Sequence, residues 1–591
     1  MSGMKILFVY PEIGIANIGS QMLHLGLASL SAYAKQHGHS TGVLCVTTND
    51  RDELISRIRR FKPDIVGISS GTQQWSFAKQ FGQWIKEATG LPIIYGGWHP
   101  TLVPEDAIAL PFADYVCIGE GEVPLTELLD RMQKGLPTDT VQGLWVRRDG
   151  AIIRNSGRPL VEDLDALPFM DLDVFNFRRV NYNLDTLEGF NHTLQIAAGR
   201  GCPFSCTFCC AKAFRDIYKA ANSGRYVRVR SPRRTVEEVA YHYRKYPFVD
   251  SVAFADDMFL YSAKWLAEFV PLYVSQVNLP FFTSARVDII NEEILKLLKA
   301  ANCSTLLYGV ETGNEELRNK ICKKGVTNEQ IRRAFRLTRE YGIRSVATFI
   351  VGLPYETLDN FNETKQLAVE LEADAYEVHQ FCPFPGSEAM ETCLQNGWVR
   401  KDVPLSYLNG AGIEMPWLTS AQIRQCGIEL MGAIINMMAK KRQKGYYDFA
   451  ANLDDAVKES LPEIPIRIGS VFVNCFEPVW LLVHPPASIT YKDVKIREKS
   501  DLVFAIGVSE TVYSMPGGGV EFIVTVNGTK VFSKKLDPKR KKGDRGWSMH
   551  RVSLDKYAVK PAEVSFITKA FGKGGNQYCS SGWGRPFLTQ R

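Results

Sequence analysis

Short apolar runs alternate with amphipathic helical segments in two separate parts of the chain. In the first part, up to about residue 125, five strand-like runs are separated by segments with helical periodicity: KILFVY, TGVLCV, DIVGIS, PIIYGG and DYVCIG. Strands that alternate with helices in this way indicate a parallel sheet with helical connections. We therefore predict a doubly wound α/β domain over residues 1–135.

The second alternation begins near residue 190. It contains six strand–helix units, whose strand-like runs are TLQIAAG, SVAFADD, FFTSARVD, STLLYGVETG, SVATFIVGLP and AYEVHQFCPFPG. This pattern predicts a partial (β/α)6 barrel with a closing helix over residues 190–445, and the active site of a barrel lies at the carboxyl ends of its strands. Between the two domains, residues 136–189 hold a hairpin around Asp149 and Gly150 and then an acidic segment, and are predicted to be a hairpin and linker.

Beyond residue 465 the composition changes to alternating strands and turns. Asn527 and Gly528 form the residue pair typical of a two-residue hairpin turn. We predict an antiparallel β-sandwich over residues 466–591. A chain of 591 residues has room for these parts, because a single hydrophobic core rarely serves more than about 300 residues.

Charge and hydropathy narrow the classes of function. A formal net charge of +6 is small for a chain of 66.4 kDa, so nothing indicates a nucleic-acid partner. The N-terminus lacks the pattern of a secretory leader, and the longest apolar run contains Glu477 and Pro478 and falls short of the roughly 20 residues that cross a bilayer. We expect a cytoplasmic protein with no transmembrane segment.

Four of the 13 cysteines fall between residues 202 and 210. Cys202, Cys206 and Cys209 form a C-x-x-x-C-x-x-C pattern in the segment after the first strand of the predicted barrel. Three thiolates are one short of a closed zinc site, and adjacent residues such as Cys209 and Cys210 seldom point at one ion. An iron–sulfur cluster held by three thiolates keeps one iron open for a ligand. The pattern therefore favours a 4Fe-4S cluster over zinc or over inert core thiols.

The segment GRGCPFSCTFC is similar to the signature of the radical S-adenosylmethionine (radical SAM) superfamily, and the six-unit alternation resembles its fold. The resemblance implies that Cys202, Cys206 and Cys209 hold a 4Fe-4S cluster whose open iron binds S-adenosylmethionine (SAM). One electron then cleaves SAM to methionine and a 5′-deoxyadenosyl radical. In such an enzyme the cofactors carry the difficult chemistry, while the protein positions and shields them.

The same resemblance implies SAM-binding roles for residues at the strand ends. Asp256 and Asp257 stand where the family usually has Gly-Gly-Glu and are expected to hold the methionine ammonium, and Arg286 the carboxylate. Glu311 looks like the residue that hydrogen-bonds the ribose hydroxyls, and Gly352 lies in a segment that packs on adenine. Each residue also has an ordinary alternative as a surface or capping residue.

PDIVGISSGT, PIIYGGWHP and DYVCIGEGE resemble the cobalamin-binding domain that precedes the barrel in many radical SAM enzymes. The resemblance implies that four residues line the channel for the dimethylbenzimidazole tail of cobalamin: Ser69, Ser70, Gly96 and Gly97. The loop after the first strand, YPEIGIANIGSQ, lacks the axial histidine of cobalamin mutases, as is common in the radical subgroup. His24 follows on a helical pattern and is expected to be a packing or surface histidine rather than a cobalt ligand.

Two cofactor domains in one chain imply a cobalamin-dependent radical SAM methyltransferase that acts on an unactivated carbon or phosphorus centre and uses two molecules of SAM. A second interpretation is an oxidative cyclase or ring-rearranging enzyme that resembles the anaerobic magnesium-protoporphyrin ester cyclase. Methylthiolation of transfer RNA is disfavoured, because the chain lacks a second cysteine trio and a basic tail. A non-catalytic cobalamin sensor would not need an open iron.

The predicted C-terminal sandwich resembles a galactose-binding-like module. Trp547, Trp583 and Tyr578 are candidates to stack on a sugar, with burial in the sandwich core as the alternative. The expected substrate is an unknown small molecule, lipid or glycan-bearing compound. The expected electron donor is a protein such as flavodoxin or ferredoxin.

Overall fold

The protein divides into two compact units in the computed structural model. Unit 1 comprises Met1–Leu367 and Ala373–Gly427, and unit 2 comprises Ala368–Glu372 and Ile428–Arg591. The residues that the structure describes are 3–13, 23–175, 177, 192–259, 262–400, 412–441, 447–450, 452–460, 467–469, 480–508, 517–544, 548–558, 560–572 and 581–590.

A seven-stranded sheet forms the N-terminal part of unit 1, in the order β2-β1-β3-β4-β5-β6-β7. Its strands are β1 (Lys5–Pro11), β2 (Ser40–Val46), β3 (Ile65–Ser69), β4 (Ile93–Gly96), β5 (Tyr115–Cys117), β6 (Leu144–Arg148) and β7 (Ala151–Arg154). Its helices are α1 (Leu25–Gln36), α2 (Arg51–Phe61), α3 (Trp75–Thr89), α4 (Trp98–Leu102), α5 (Pro104–Ile108) and α6 (Glu122–Gln133). The first five strands are parallel, as predicted. Their order reverses between β1 and β3, and ligands of such sheets bind at the carboxyl ends beside this reversal.

The hairpin around Asp149 and Gly150 extends this sheet instead of forming part of a separate linker. The two residues have φ of +51° and +80°, as a two-residue hairpin turn requires. β6 pairs antiparallel with β5 and also with β7. The sheet therefore continues beyond residue 135, because the hairpin covers the otherwise open edge of β5.

A sheet of six parallel strands forms the rest of unit 1. The strands of this part are β8 (Thr193–Ile196), β9 (Gly199–Arg200), β10 (Arg228–Val229), β11 (Ser251–Phe254), β12 (Phe281–Ala285), β13 (Cys303–Glu311), β14 (Arg344–Val351) and β15 (Ala375–Gln380). The six run in the order β15-β14-β13-β12-β11-β8, which is the sequential order of a partial barrel, and the prediction is confirmed. β9 and β10 pair with each other beside the sheet.

Helices follow the barrel strands. They are α7 (Ala211–Ala220), α8 (Pro232–Lys245), α9 (Ala263–Gln276), α10 (Glu292–Ala300), α11 (Asn328–Glu340), α12 (Leu358–Leu371), α13 (Glu388–Gln395) and α14 (Ser420–Lys441). Helices α8, α9 and α10 begin after Ser231, Ser262 and Asn291, whose side-chain oxygens accept a backbone N–H of the first turn. Such caps supply partners that the first turn of a helix otherwise lacks.

Two antiparallel sheets form most of unit 2, which confirms the predicted β-sandwich. Their strands are β16 (Tyr447–Asp448), β17 (Val457–Glu459), β18 (Arg467–Gly469), β19 (Trp480–Val483), β20 (Ala487–Lys495), β21 (Ser500–Val508), β22 (Gly519–Val526), β23 (Thr529–Leu536), β24 (Ser548–Ser553), β25 (Pro561–Phe571) and β26 (Ser581–Gln590). One sheet has the order β18-β19-β26-β21-β24 with β16 beside β26, and the other has the order β17-β20-β25-β22-β23. Asn527 and Gly528, with φ of +50° and +74°, form the predicted turn between β22 and β23.

The core of the sandwich contains Trp583. Its ring packs against Phe504 of its own sheet and against Phe522 and Phe566 of the other sheet. Because Trp583 is fully buried, it is a core residue and is not exposed for a sugar to stack on. The other two aromatic candidates, Trp547 and Tyr578, lie outside the described residues.

None of the helices in the part of the chain that the structure describes combines the length and apolar character needed to cross a bilayer.

Candidate functional site

A cavity of about 670 Å3 lies at the carboxyl ends of the parallel strands of the N-terminal sheet. Residues that follow β8 and β11 of the barrel line it as well. The cavity brings together six of the predicted cofactor-binding residues: Ser69, Ser70, Gly96, Gly97, Asp256 and Asp257. Both halves of unit 1 therefore contribute to the lining of one cavity.

Gly97 lets the ends of β3 and β4 approach each other at the edge of this cavity. Its φ is +94°, and a Cβ built there would lie 2.9 Å from the Oγ of Ser69 and from the backbone of Ser70. Both the backbone conformation and the available space therefore require glycine. The result is a wall of backbone and small side chains that a large ligand can approach closely.

Asp256 fixes the start of the cysteine loop, which we define as residues 201–210. Its carboxylate accepts the backbone N–H of Ala198 at 3.0 Å and that of Gly199 at 2.6 Å. At Gly201, with φ of +86°, a Cβ would lie 2.7 Å from the carbonyl oxygen of Tyr226. The backbone is thus held before the first cysteine. The predicted contact of Asp256 with the methionine ammonium stays a prediction.

Cys202, Cys206 and Cys209 are half-buried free thiols on this loop. Three thiols on one loop are one short of the four ligands of a closed zinc site. Burial raises the pKa of the Cys202 and Cys206 thiols.

The thiol of Cys210 is hydrogen-bonded to that of Cys209. It donates a hydrogen bond to Cys209, which lowers the pKa of Cys209 to about 7 and raises that of Cys210 itself. The backbone N–H of Ala211 also donates to the Cys209 sulfur, at 3.4 Å. The hydrogen bond from Cys210 therefore stabilises the thiolate form of Cys209.

Lys324 is a functional candidate that the sequence analysis missed. Its Nζ donates to the Oε1 of Glu311 at 2.6 Å, and both side chains are buried. Glu311, the last residue of β13, has a φ of +69°. The positive charge of Lys324 opposes the rise in the pKa of Cys206 that burial causes, so this ion pair lies beside the cysteine loop. A ligand that binds the carboxylate of Glu311 would compete with Lys324 for it. The ligand must then supply Lys324 with another partner, since an unpaired buried charge is costly.

Arg286 and Gly352 are already in contact with other parts of unit 1. The guanidinium of Arg286 lies 3.7 Å from the ring centroid of Phe204 and donates to the carbonyl oxygen of Lys324 at 2.7 Å. At Gly352 a Cβ would lie 2.7 Å from the side chain of Ile423. Packing of α14 therefore accounts for this glycine. The predicted contacts with the methionine carboxylate and adenine stay predictions, as does the contact of Glu311 with ribose.

A network of charged side chains joins the cysteine-loop strand β9 to the N-terminal sheet. Arg200 lies 3.1 Å from Glu120 and 2.6 Å from Glu122, and both glutamates follow β5. Arg228 pairs with Glu120 at 2.6 Å, and Ser29 donates to Glu122 at 2.6 Å. Burial alone would raise the pKa of Glu122, but the charge and hydrogen bond of Arg200 bring it below its ordinary value. In the sequence Glu120 and Glu122 belong to the segment GEGE, and nothing in that segment predicts their pairing with Arg200.

His24 also lines the cavity. It occupies the N-cap position of α1, and its Nε2 lies 3.1 Å from the Oε1 of Glu12. Its ring contacts that of Tyr10 at a tilt of 33°, with the centroids 3.6 Å apart. The carboxylate partner is 12 residues away along the chain, so no short motif indicates the pair. Most of the loop YPEIGIANIGSQ, which lacks an axial histidine in the sequence, cannot be compared, because residues 14–22 lie outside the described residues.

Two family models match unit 1. One describes the radical SAM superfamily and matches residues 196–368, and the other describes the B12 binding domain and matches residues 11–129. The first match covers the cysteine loop, and the second covers the sheet whose edge forms the cavity. The chain therefore contains a radical SAM domain and a B12-binding domain.

This chain is similar to relatives and solved structures whose names give several different activities. An uncharacterized methyltransferase of Pyrococcus horikoshii is 28% identical over 67% of this chain and 84% of its own. The anaerobic magnesium-protoporphyrin IX monomethyl ester cyclase of Rubrivivax gelatinosus is 27% identical over 66% of this chain and 70% of its own. The radical SAM methyltransferase TsrM of Kitasatospora setae, solved with cobalamin and a [4Fe-4S] cluster, has a TM-score of 0.54 at 20% identity and covers 71% of this chain and 84% of its own. That last likeness establishes the shared fold.

We expect Gly97→Ala to weaken cobalamin binding at least tenfold, while Gly90→Ala leaves it unchanged. Both glycines have positive φ, so both variants carry a backbone strain of order 1 kcal/mol or more. Only Gly97→Ala adds a Cβ at the cavity edge, since a Cβ at Gly90 meets nothing within 4 Å. Absorbance titration with cobalamin measures both affinities. Equal weakening in the two variants would contradict a specific role for the Gly97 edge.

Proposed function

We propose that this protein is a cytoplasmic, cobalamin-dependent radical SAM methyltransferase that acts on an unactivated carbon or phosphorus atom of a small-molecule, lipid or glycan-bearing substrate. One observation carries the proposal: a single cavity is lined both by the edge of the N-terminal sheet and by residues next to the cysteine loop. A cavity shared by two cofactor sites would let both cofactors act on one substrate without its release. Separate cavities would be expected if the two domains worked independently.

The residues of the cavity and of the cysteine loop fit the two cofactors. When bound, a 4Fe-4S cluster with SAM supplies the 5′-deoxyadenosyl radical, and cobalamin carries a methyl group from a second SAM. Cys202, Cys206 and Cys209 would hold three irons, because three thiols on a fixed loop suit a cluster with one open iron. Asp257, which lines the cavity and whose pKa burial raises, would pair with the methionine ammonium.

Other residues would hold cobalamin and SAM in place. Ser69, Ser70 and the Gly96–Gly97 edge would contact the cobalamin tail where β3 and β4 end. The Lys324–Glu311 pair lies beside Cys206 and would orient the ribose of SAM through Glu311. Walls from both halves of unit 1 limit the access of water, which protects a reactive intermediate from side reactions.

An oxidative cyclase is the second candidate function. The observation that favours it is the relative named as a magnesium-protoporphyrin ester cyclase, which is nearly as similar as the relative named as a methyltransferase. A cyclase would use the same cavity and cysteine loop without net methyl transfer. Either enzyme would need a low-potential electron donor such as flavodoxin or ferredoxin. A cobalamin sensor would need no cleavage of SAM.

The ratio of two SAM-derived products separates these functions. Reduced protein, cobalamin, methyl-labelled SAM and a cell extract as the source of substrate are incubated without oxygen. We expect S-adenosylhomocysteine and 5′-deoxyadenosine in similar amounts, because each methyl transfer consumes two molecules of SAM. A cyclase gives 5′-deoxyadenosine without S-adenosylhomocysteine, and a sensor gives neither. If 5′-deoxyadenosine accumulates only with extract and no label leaves SAM as methyl, methyl transfer is excluded in favour of cyclisation.

A further inference from the structure

We propose that His24 is the protein ligand on one axial face of the cobalt of bound cobalamin, and that Glu12 fixes the ring of His24 for this role. The inference rests on the proposed binding of cobalamin in the cavity. It departs from the sequence analysis, in which His24 is a packing or surface residue.

The position of His24 is the first support for this proposal. The side chain lines the cavity at the N-terminus of α1, and Tyr10 near the end of β1 lines it from the adjacent strand. β1 and β3 are the strands between which the sheet order reverses, where ligands of doubly wound sheets bind. An imidazole is therefore present at the wall on which a flat cofactor would lie.

The second support is the hydrogen bond to Glu12. Metal-binding histidines generally donate the N–H of their second ring nitrogen to a carboxylate, which fixes both the tautomer and the ring orientation. Here the Nε2 of His24 lies 3.1 Å from the Oε1 of Glu12. An ionised carboxylate only accepts hydrogen bonds, so with Glu12 ionised the hydrogen is carried by Nε2. Nδ1 is then left with the lone pair that binds a metal. Among the described residues no hydrogen bond is made to Nδ1, and 15% of the side-chain surface is exposed.

The surroundings of Glu12 make it a hydrogen-bond acceptor. Its side chain is fully buried, and its backbone N–H donates to the carbonyl oxygen of Val46 at 2.8 Å. The ring of His24 also contacts the tilted ring of Tyr10. The ring is thus oriented before any ligand binds.

A single divalent ion is the competing occupant of this cluster. Ligand atoms of Glu12, His24 and Cys45 all lie within 4.8 Å of one another, as an ion such as Zn2+ requires. However, Glu12 and Cys45 do not line the cavity, whereas His24 does. Binding such an ion would also require the buried Cys45 thiol to lose its proton. The geometry therefore favours a metal that approaches His24 from the cavity.

Electron paramagnetic resonance of the Co(II) corrinoid tests the proposal on the intact protein. An axial nitrogen-14 splits each cobalt hyperfine line into a triplet. Cobinamide, which lacks the dimethylbenzimidazole tail, removes the cofactor's own axial nitrogen and is the probe. We expect a triplet with the unaltered protein and its loss in His24→Ala. Added imidazole should restore it, because it supplies a nitrogen to the space left by the side chain.

Two further variants make the test specific. Glu12→Gln should keep the triplet with altered cobalt hyperfine splitting, since the carboxylate tunes the basicity of the ligand. His37→Ala is the matched control, because His37 lies at the other end of α1, is bonded to the carbonyl oxygen of Tyr33 and does not line the cavity. It should leave the spectrum unchanged.

Three outcomes would overturn the proposal, and absorbance titration of cobinamide distinguishes their causes. If cobinamide binds but gives no triplet, or if the triplet persists in His24→Ala, His24 is not the ligand although cobalamin binding stands. One zinc per chain that is lost in both His24→Ala and Cys45→Ala assigns the cluster to a divalent ion. If neither cobinamide nor cobalamin binds the unaltered protein, the cobalamin-dependent function itself fails.

Discussion

We expect Cys206→Ala to remove the iron–sulfur cluster and abolish the cleavage of SAM, whereas Cys210→Ala should leave the iron content unchanged. Two remaining thiolates do not retain a cluster that three hold, so we expect iron to fall from about four per chain to near zero. Cys210 donates to the sulfur of Cys209, and its loss removes a hydrogen bond but no ligand. Iron and sulfide analysis after anaerobic reconstitution, with absorbance near 400 nm, measures the difference.

The neighbouring thiol is a control for general damage to the loop. Both cysteines are half-buried in the same segment, so a nonspecific disruption would affect the two variants alike. Equal loss of iron from both would indicate a site with four thiolates. One tightly bound zinc with no inorganic sulfide in the unaltered protein would contradict the cluster itself.

Much of the fold could be predicted from the sequence because buried parallel strands are continuous apolar runs. The five N-terminal strands and the six barrel strands each stand between segments with helical periodicity, and they form the two predicted parallel sheets. The turn at Asp149 and Gly150 was equally plain, since this pair favours positive φ. The pairing of this hairpin with β5 could not be predicted, because no local sequence pattern indicates antiparallel pairing with a strand about 30 residues earlier.

Some residues of the candidate site could be predicted from the sequence and others could not. Residues at the ends of strands, such as Gly97 and Asp257, could be placed because topology fixes where strand ends meet. Arg200, Lys324 and His24 could not, because their acidic partners lie 78, 13 and 12 residues away in the chain. Gly352 shows a further limit: its positive φ can be anticipated, but the side chain that approaches it cannot.

Arg200→Met should lower the free energy of unfolding of unit 1 by about 3 kcal/mol, because it leaves a buried carboxylate without its cation. Glu120 keeps Arg228 as a partner, but Glu122 loses its cation and keeps only neutral donors, the hydroxyl of Ser29 and its own backbone N–H, among the described residues. Glu122 is therefore the residue whose charge becomes costly. Urea unfolding of the intact protein, followed by tryptophan fluorescence, measures the loss.

Arg148→Met is the matched control, since Arg148 pairs with Asp139 at 2.6 Å but is 54% exposed. An exposed pair contributes less than about 1 kcal/mol, so this variant should be nearly as stable as the unaltered protein. Adding Glu122→Gln to Arg200→Met should recover part of the loss, because a neutral amide in that position has no unpaired charge. This recovery distinguishes the ionic link from lost packing of the long arginine side chain. If Arg200→Met costs no more than Arg148→Met, or if Glu122→Gln adds to the loss, the charged network does not stabilise the junction between the cysteine-loop strand and the N-terminal sheet.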